Sequence, residues 1–318
     1  MTQTNIPSNI LTYGKALLQA PWRFNIVFVS LVAGVSHDFL TRALHKKYSW
    51  KELLKNMLNT HLFEKGYLII DETDVDKSYA KAITGLSWIF SHRKNKHIFG
   101  LHMVVICWTN KTITIPLAWK IYQKRSGKTK IDLAIELIEY CLFHLRIDPN
   151  AFLFDAFYAS ESLLKYLKNH NQSFFSQLPK NRLFNNMPLS KHKKGIPYWT
   201  QVGYIKGHIH VQIVRNRKKY YITNKIGITR KEQLGTYKIR WMIENIFRFV
   251  KQELGFEACQ STSLQAQHNH FGTCFFMYAI LQDIAVQTQM TDYRIKQKAI
   301  LHPDYLNQLD LAAYLYSA

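Results

Sequence analysis

Two aspartates in this chain each follow a short apolar run: Tyr67-Leu-Ile-Ile70 leads into Asp71, and Ala151-Phe-Leu-Phe154 leads into Asp155. Runs of that length suit buried strands. In an open α/β sheet ligands collect at the carboxyl ends of strands, so aspartates ending two neighbouring strands would converge there. As hard oxygen donors they suit magnesium or manganese. An aspartate after a strand serves equally well as a turn or capping residue, and for either one alone that alternative stays open.

A third carboxylate, Glu244, lies in the segment from Tyr237 to Lys251. At ~100° per residue, Tyr237, Arg240, Glu244, Arg248 and Lys251 fall on one helical stripe. Ile239, Met242, Ile243, Ile246, Phe247, Phe249 and Val250 fall on the other side. The pattern predicts one long helix, to about Leu254, with a buried face and a cationic stripe holding a single carboxylate. Taken alone, the stripe also reads as a solvated face with an i,i+4 pair between Glu244 and Arg240 or Arg248. Near Asp71, strand alternation sends Asp71 and Thr73 to one face and Glu72 to the other. Asp74 and Asp76 stay open as alternative ligands.

The elements that must position these groups follow from periodicity and punctuation. Residues 1 to about 62 read as a helical region with mixed aromatic and basic residues (Trp22, Arg23, Arg42, Lys46, Lys47, Trp50, Lys51). It suits DNA binding or dimer docking, and equally a helical layer packed on the main domain. Residues 63–318 read as the main domain. Strands are predicted at Tyr67–Ile70, His97–Trp108, Thr112–Ile121, Ala151–Phe154 and Ser173–Gln177. Helices are predicted at Lys130–Arg146, Ser160–Asn169 and Ser263–Thr288, and from the Thr229/Glu232 capping box onward. Residues 179 to about 228 interrupt this order as a β-rich insertion, with a hairpin around Asn216-Arg217. The order gives an α/β protein with a mixed sheet and flanking helices.

Composition narrows the partners. The chain has 318 residues, 42 Lys and Arg against 21 Asp and Glu, and a net charge of +21. Self-repulsion of that size favours a polyanionic partner, above all nucleic acid. An anionic membrane surface is the rival, but no long basic amphipathic segment supports it. Hydrophobic residues make up 47%, enough for a folded core. Cys107, Cys141, Cys259 and Cys274 form no CxxC pair and read as buried thiols. No signal-peptide order opens the chain, and Ile26–Val35 is far shorter than the ~20 residues of a membrane span. The expectation is a soluble cytoplasmic protein.

The residues above carry a family resemblance. The spacing of Tyr237, Arg240, Glu244 and Lys251 resembles the Tyr-Arg-Glu-Lys signature of cut-and-paste insertion-sequence DDE transposases. Ile70-Asp71-Glu72-Thr73 resembles the family's first-aspartate strand, and Asp155-Ala-Phe-Tyr158-Ala-Ser160 its second-aspartate motif. The three occur in the family's order, over roughly residues 65 to 260. The resemblance implies a ribonuclease-H-like fold with an all-β insertion between the second Asp and the Glu. It implies that Asp71, Asp155 and Glu244 hold two magnesium ions, with manganese as substitute, for DNA cleavage at element ends and strand transfer to target DNA. Asp71 would bridge both ions, and Asp155 and Glu244 would each complete one. Tyr237, Arg240 and Lys251 would contact DNA phosphates, with Arg248 on the same stripe. In relatives an aromatic residue holds a flipped base. Here Tyr198, Trp199 and Tyr204 stand beside Lys193, Lys194 and Lys206, with Trp199 the candidate, although filling the insertion's small core is the simpler role. A homodimer follows from the need to hold two DNA ends together.

Other motifs carry less. Ser126-Gly-Lys-Thr129 resembles the end of a P-loop, but Tyr122 stands where that motif needs glycine. His268-Asn-His270 lacks the ββα setting of the nuclease motif it spells. His208 and His210 lack cysteine or carboxylate partners for zinc. Two further readings remain: a related nuclease or resolvase without transposition, and a non-catalytic DNA-binding derivative of a transposase.

Overall fold

A computed structural model describes residues 8–59, 65–80, 82–83, 85–91 and 95–308. Residues 1–7, which open the segment read for a targeting signal, lie outside the described residues, as do 60–62 of the helical region and 309–318. Four helices come first: α1 (Ser8–Gln19), α2 (Ile26–Ala33), α3 (His37–Leu44) and α4 (Trp50–Asn59). Asn25 and Ser36 start α2 and α3 by accepting the amides of Phe28 and Phe39, the usual satisfaction of an orphan helical N–H. The central elements are β1 (Tyr67–Asp76), β2 (Ser87–Ser91), β3 (Lys96–Thr109), β4 (Thr114–Tyr122), α5 (Lys130–Glu139), β5 (Phe152–Phe154), α6 (Glu161–Asn169) and β6 (Phe174–Leu178). The insertion supplies β7 (Leu183–Phe184), β8 (Met187–Pro188), β9 (Tyr198–Ile205), β10 (Ile209–Asn216) and β11 (Lys219–Thr223). The chain continues through α7 (Arg230–Lys238), α8 (Met242–Glu253), α9 (Leu264–Thr288), α10 (Asp292–Leu301) and α11 (Tyr305–Gln308).

The described strands form one mixed sheet in the order β2-β3-β1-β5-β6-β11-β10-β9-β7-β8, with β4 also paired to β3. β1, β5 and β6 run parallel. β3 runs antiparallel to β1, β2 and β4. The mixed α/β architecture matches the expectation, with three corrections. First, β1 does not stop at Ile70. Every residue from Tyr67 to Asp76 pairs with β3, so the ladder of the longer strand carries β1 on through its polar half. Second, β2 and β9 are additional strands; Trp88, Phe90, Tyr198 and Tyr204 point outward in them and leave no apolar alternation to read. Third, the helix expected at Lys130–Arg146 turns into a π-helical stretch at Tyr140–His144. The insertion is also no separate unit, because β11 pairs with β6 and extends the central sheet.

α1, α3 and α4 pack on α9, and α4 and α9 also meet β4. Trp50 is buried, and its indole N–H donates to Asn269 on α9 (2.9 Å). Asn269 in turn donates to the carbonyls of Leu44 and Lys46 (2.7 Å each). Gly272 lets the two helices come this close, since a Cβ there would lie 2.2 Å from the Trp50 ring. These are the contacts of a helical layer packed on the sheet. Trp22, by contrast, is 72% exposed.

The same helix α9 holds His270 fully buried. Its Nε2 lies 3.0 Å from the Gly255 carbonyl and its Nδ1 2.8 Å from the Tyr13 hydroxyl. A carbonyl only accepts, so Nε2 carries the hydrogen and Nδ1 accepts from Tyr13. Burial, helped by the charge of Lys77, lowers the pKa of this imidazole from 6.5 to about 3. Between those values the unfolded chain binds a proton that the folded chain refuses, so stability falls as pH drops below 6.5. The loss from this one group is about 1.4 kcal/mol per pH unit. The melting temperature should therefore fall between pH 7 and pH 5, and His270→Gln should flatten that slope. An identical slope in the variant would refute the assignment.

Candidate active site

The parallel pairing of β1 with β5 sets Ile70 beside Phe154. The next residues, Asp71 and Asp155, are thereby brought side by side, one within β1 and one just past β5. Asp155 opens a tight turn in which its Oδ1 accepts the amides of Phe157 (2.9 Å) and Tyr158 (3.4 Å). Its backbone carbonyl accepts the Ser176 hydroxyl from β6 (2.9 Å). Side chain and main chain of Asp155 are thus both fixed.

The third carboxylate comes from a helix that is broken where it matters. α7 ends at Lys238, a 3-10 turn spans Ile239–Trp241, and α8 begins at Met242. The single long helix expected from the sequence is corrected here. Arg240 sits in the turn and reaches Asp71 Oδ2 (2.5 Å) and Glu244 Oε1 (2.8 Å) together. One guanidinium therefore ties β1 to α8. Asp71, Asp155 and Glu244 line one open groove of about 960 Å³.

The electrostatics reflect this crowding. Burial raises the Asp71 pKa to about 7; Arg240 works against the shift, while Asp155 and Glu244 add to it. Burial also raises Asp155, opposed by the amides of Tyr158 and Phe157 and by Arg240. Among the described residues, no three His, Cys, Asp or Glu side chains lie close enough to share one metal ion. Positive charge between Asp71 and Glu244 is supplied by Arg240 instead. A pair of carboxylates already arranged around a cation fits hard divalent ions in donor chemistry.

The other signature residues take different positions. Tyr237 is buried against Tyr221 (ring centroids 5.1 Å apart) and does not share an exposed stripe with Arg248. Burial raises its hydroxyl pKa to about 12. Lys251 is 12% exposed, donates to the Asp74 carbonyl and lies 3.3 Å from Glu257. Arg248 is exposed and lines both the groove and a second cavity of about 650 Å³ bordered by α8, α9 and α10. Trp199 is 6% exposed and packs among His192 and Tyr220. On the insertion the exposed aromatics are Tyr198, with the Arg230 guanidinium over its ring, and Tyr204, stacked on His210, not Trp199. All four cysteines are buried and free.

Sequence reasoning missed a second cluster, which leaves β1 on the other side from Asp71 yet borders the same groove. Glu72 meets Lys130 (2.7 Å), His102 (3.1 Å) and the Tyr158 hydroxyl (3.3 Å), and His102 also meets Asp74 (2.6 Å). Although burial alone would raise it, the hydrogen bonds from His102 and Lys130 hold the Glu72 pKa at about 2. Burial would lower His102, but Asp74 and Glu72 raise it. Tyr158 belongs to the Asp155 turn, so this cluster anchors that turn to β1 and α5. Alternation along β1 foretold the face of Glu72; nothing local foretold its partners.

Comparison with known proteins gives a family and a fold. Residues 63–280 match a family described as Transposase DDE domain. No curated protein sequence matches the chain. The fold is similar to that of a piggyBac transposase solved by cryo-electron microscopy as a synaptic complex with hairpin DNA. The TM-score is 0.56 at 12% identity, over 97% of this chain and 75% of that one, a likeness of fold alone. The family match spans well over half of the sequence, and on that ground the chain belongs to the Transposase DDE domain family.

Proposed function

We propose that this chain is an insertion-sequence transposase that cuts DNA at element ends and joins the freed ends to target DNA. The observation that carries the reading is the meeting of Asp71 and Glu244 on one guanidinium, with Asp155 on the strand beside them. We assign the divalent-metal site to these three carboxylates on a ribonuclease-H-like sheet. Bound there, magnesium or manganese would activate the attacking oxygen and neutralise charge on the phosphate and leaving oxygen. The protein's own part is positioning. The turn bonds at Asp155 fix one carboxylate, and the β1–β3 ladder fixes Asp71. Arg248, Lys124 and Lys130 line the same groove as cations for phosphate, and Arg240 would offer its guanidinium fork to phosphate once it leaves Asp71 and Glu244. Tyr237 supports Arg240 from within the fold, its ring 6.0 Å from the guanidinium. Two copies acting together would hold the two ends.

Asp71→Asn, Asp155→Asn and Glu244→Gln should each lower end cleavage on the order of 10²–10³-fold or more, with DNA binding retained. A gel assay on flanking DNA, with manganese or with chelator, measures this. Cleavage that survives all three changes would refute the carboxylate assignment. Cleavage without any joining to target DNA would favour a nuclease or resolvase.

The acidity of Asp71 gives a second test. A carboxyl with a pKa near 7 is protonated below that pH, and a protonated carboxyl is a poor ligand. Apparent manganese affinity should therefore fall about tenfold per pH unit below 7 and level off above it. Calorimetric titration at pH 6 and pH 8 reads this directly, and equal affinities would contradict it.

A further inference from the structure

Arg240 stands between two of the carboxylates proposed to hold the metal. Its two terminal nitrogens hold Asp71 Oδ2 and Glu244 Oε1, while the other oxygen of Asp71 accepts the Glu72 amide (2.9 Å). Both oxygens of Asp71 are therefore engaged. The Arg240 and Asp71 side chains are each only 13% exposed. A divalent ion taking both carboxylates must push the guanidinium off them or sit beside it against like-charge repulsion, which shielding from water strengthens. A displaced guanidinium left unpaired in that setting is costly. Its planar fork fits phosphate as well as carboxylate, so a DNA phosphate is a replacement partner of the right shape and charge. Arg240 also lies in the 3-10 turn between α7 and α8, a kind of interruption that often marks a hinge in a helix.

We propose that Arg240 is an internal counter-ion that couples DNA binding to metal loading. It neutralises Asp71 and Glu244 until a DNA phosphate draws it away, and only then are both carboxylates released to the metal. The proposal rests on the metal-and-DNA reading of the site given above. Linkage then requires metal and DNA to raise each other's affinity by the same factor. The order of assembly follows: the ions are retained where a phosphate is present to be cut.

Manganese binding to the full chain at pH 8, read by electron paramagnetic resonance of the free ion, tests this without any turnover. Titrations are run alone and with a duplex ending in a 3′-dideoxy nucleotide, so that no joining occurs. DNA should tighten manganese binding to the unchanged protein by about tenfold or more. Arg240→Gln should bind manganese about tenfold tighter than the unchanged protein without DNA, and DNA should add little. Arg240→Lys keeps the charge but is shorter and lacks the planar fork that pairs with two carboxylates, and should fall between; it carries the test if the Gln variant does not fold. Asp71→Asn should lose manganese binding with or without DNA. If removing the guanidinium leaves affinity and its DNA dependence unchanged while Asp71→Asn abolishes binding, the counter-ion is wrong and the metal site stands. If no form binds manganese under either condition, the metal reading fails and this proposal fails with it.

Discussion

β1 is covered on both faces and still carries Asp71, Glu72, Asp74 and Asp76. Negative charge in such a strand must be matched by cations or N–H groups, because unpaired burial of a carboxylate is prohibitive. The surrounding elements supply that match. Arg240, in the turn before α8, serves the face of Asp71. Lys130, at the start of α5, and His102, on β3, serve the face of Glu72 and Asp74. Asp76 accepts the amide and hydroxyl of Ser78. The positions of α5 and α8 on either side of the sheet are thus tied to one acidic strand.

What the sequence made legible was local. The apolar runs before Asp71 and Asp155, the Thr229/Glu232 capping box and the serines that start α6 and α9 all act within a few residues, and the structure shows each at work. The polar half of β1 was not legible, since its partner lies about thirty positions away on β3 and no apolar alternation marks it. The inward turn of Tyr237 was missed for a geometric reason. A wheel drawn at ~100° per residue assumes an unbroken α-helix, whereas a 3-10 turn advances ~120° and changes the face presented beyond it. His102 and Lys130 stayed invisible because their roles come from strand pairing and helix placement, which no short motif encodes.

The high positive charge also needs a finer reading than a single basic surface. Among the 42 Lys and Arg residues, several are spent inside the fold. Lys296 is 1% exposed and donates to the carbonyls of Leu17, Leu18 and Ala20 at the end of α1, where a cation complements the helix dipole. Lys77 donates to the carbonyls of Glu257 and Cys259 in the turn after α8. Cations that face outward, such as Arg248 on α8, are the ones left to meet a polyanion. Among the described residues no single helix is long and apolar enough to cross a membrane.

The continuity of the sheet through the insertion has a mechanical consequence. β11 is hydrogen-bonded to β6 with Ile222 opposite Ser176, and the hydroxyl of Ser176 holds the backbone of Asp155. A flexibly tethered module could be pushed or pulled without disturbing the groove. Here the β9–β10–β11 arm is hydrogen-bonded, strand to strand, onto β6, so the insertion and the backbone that carries Asp155 belong to one continuous ladder.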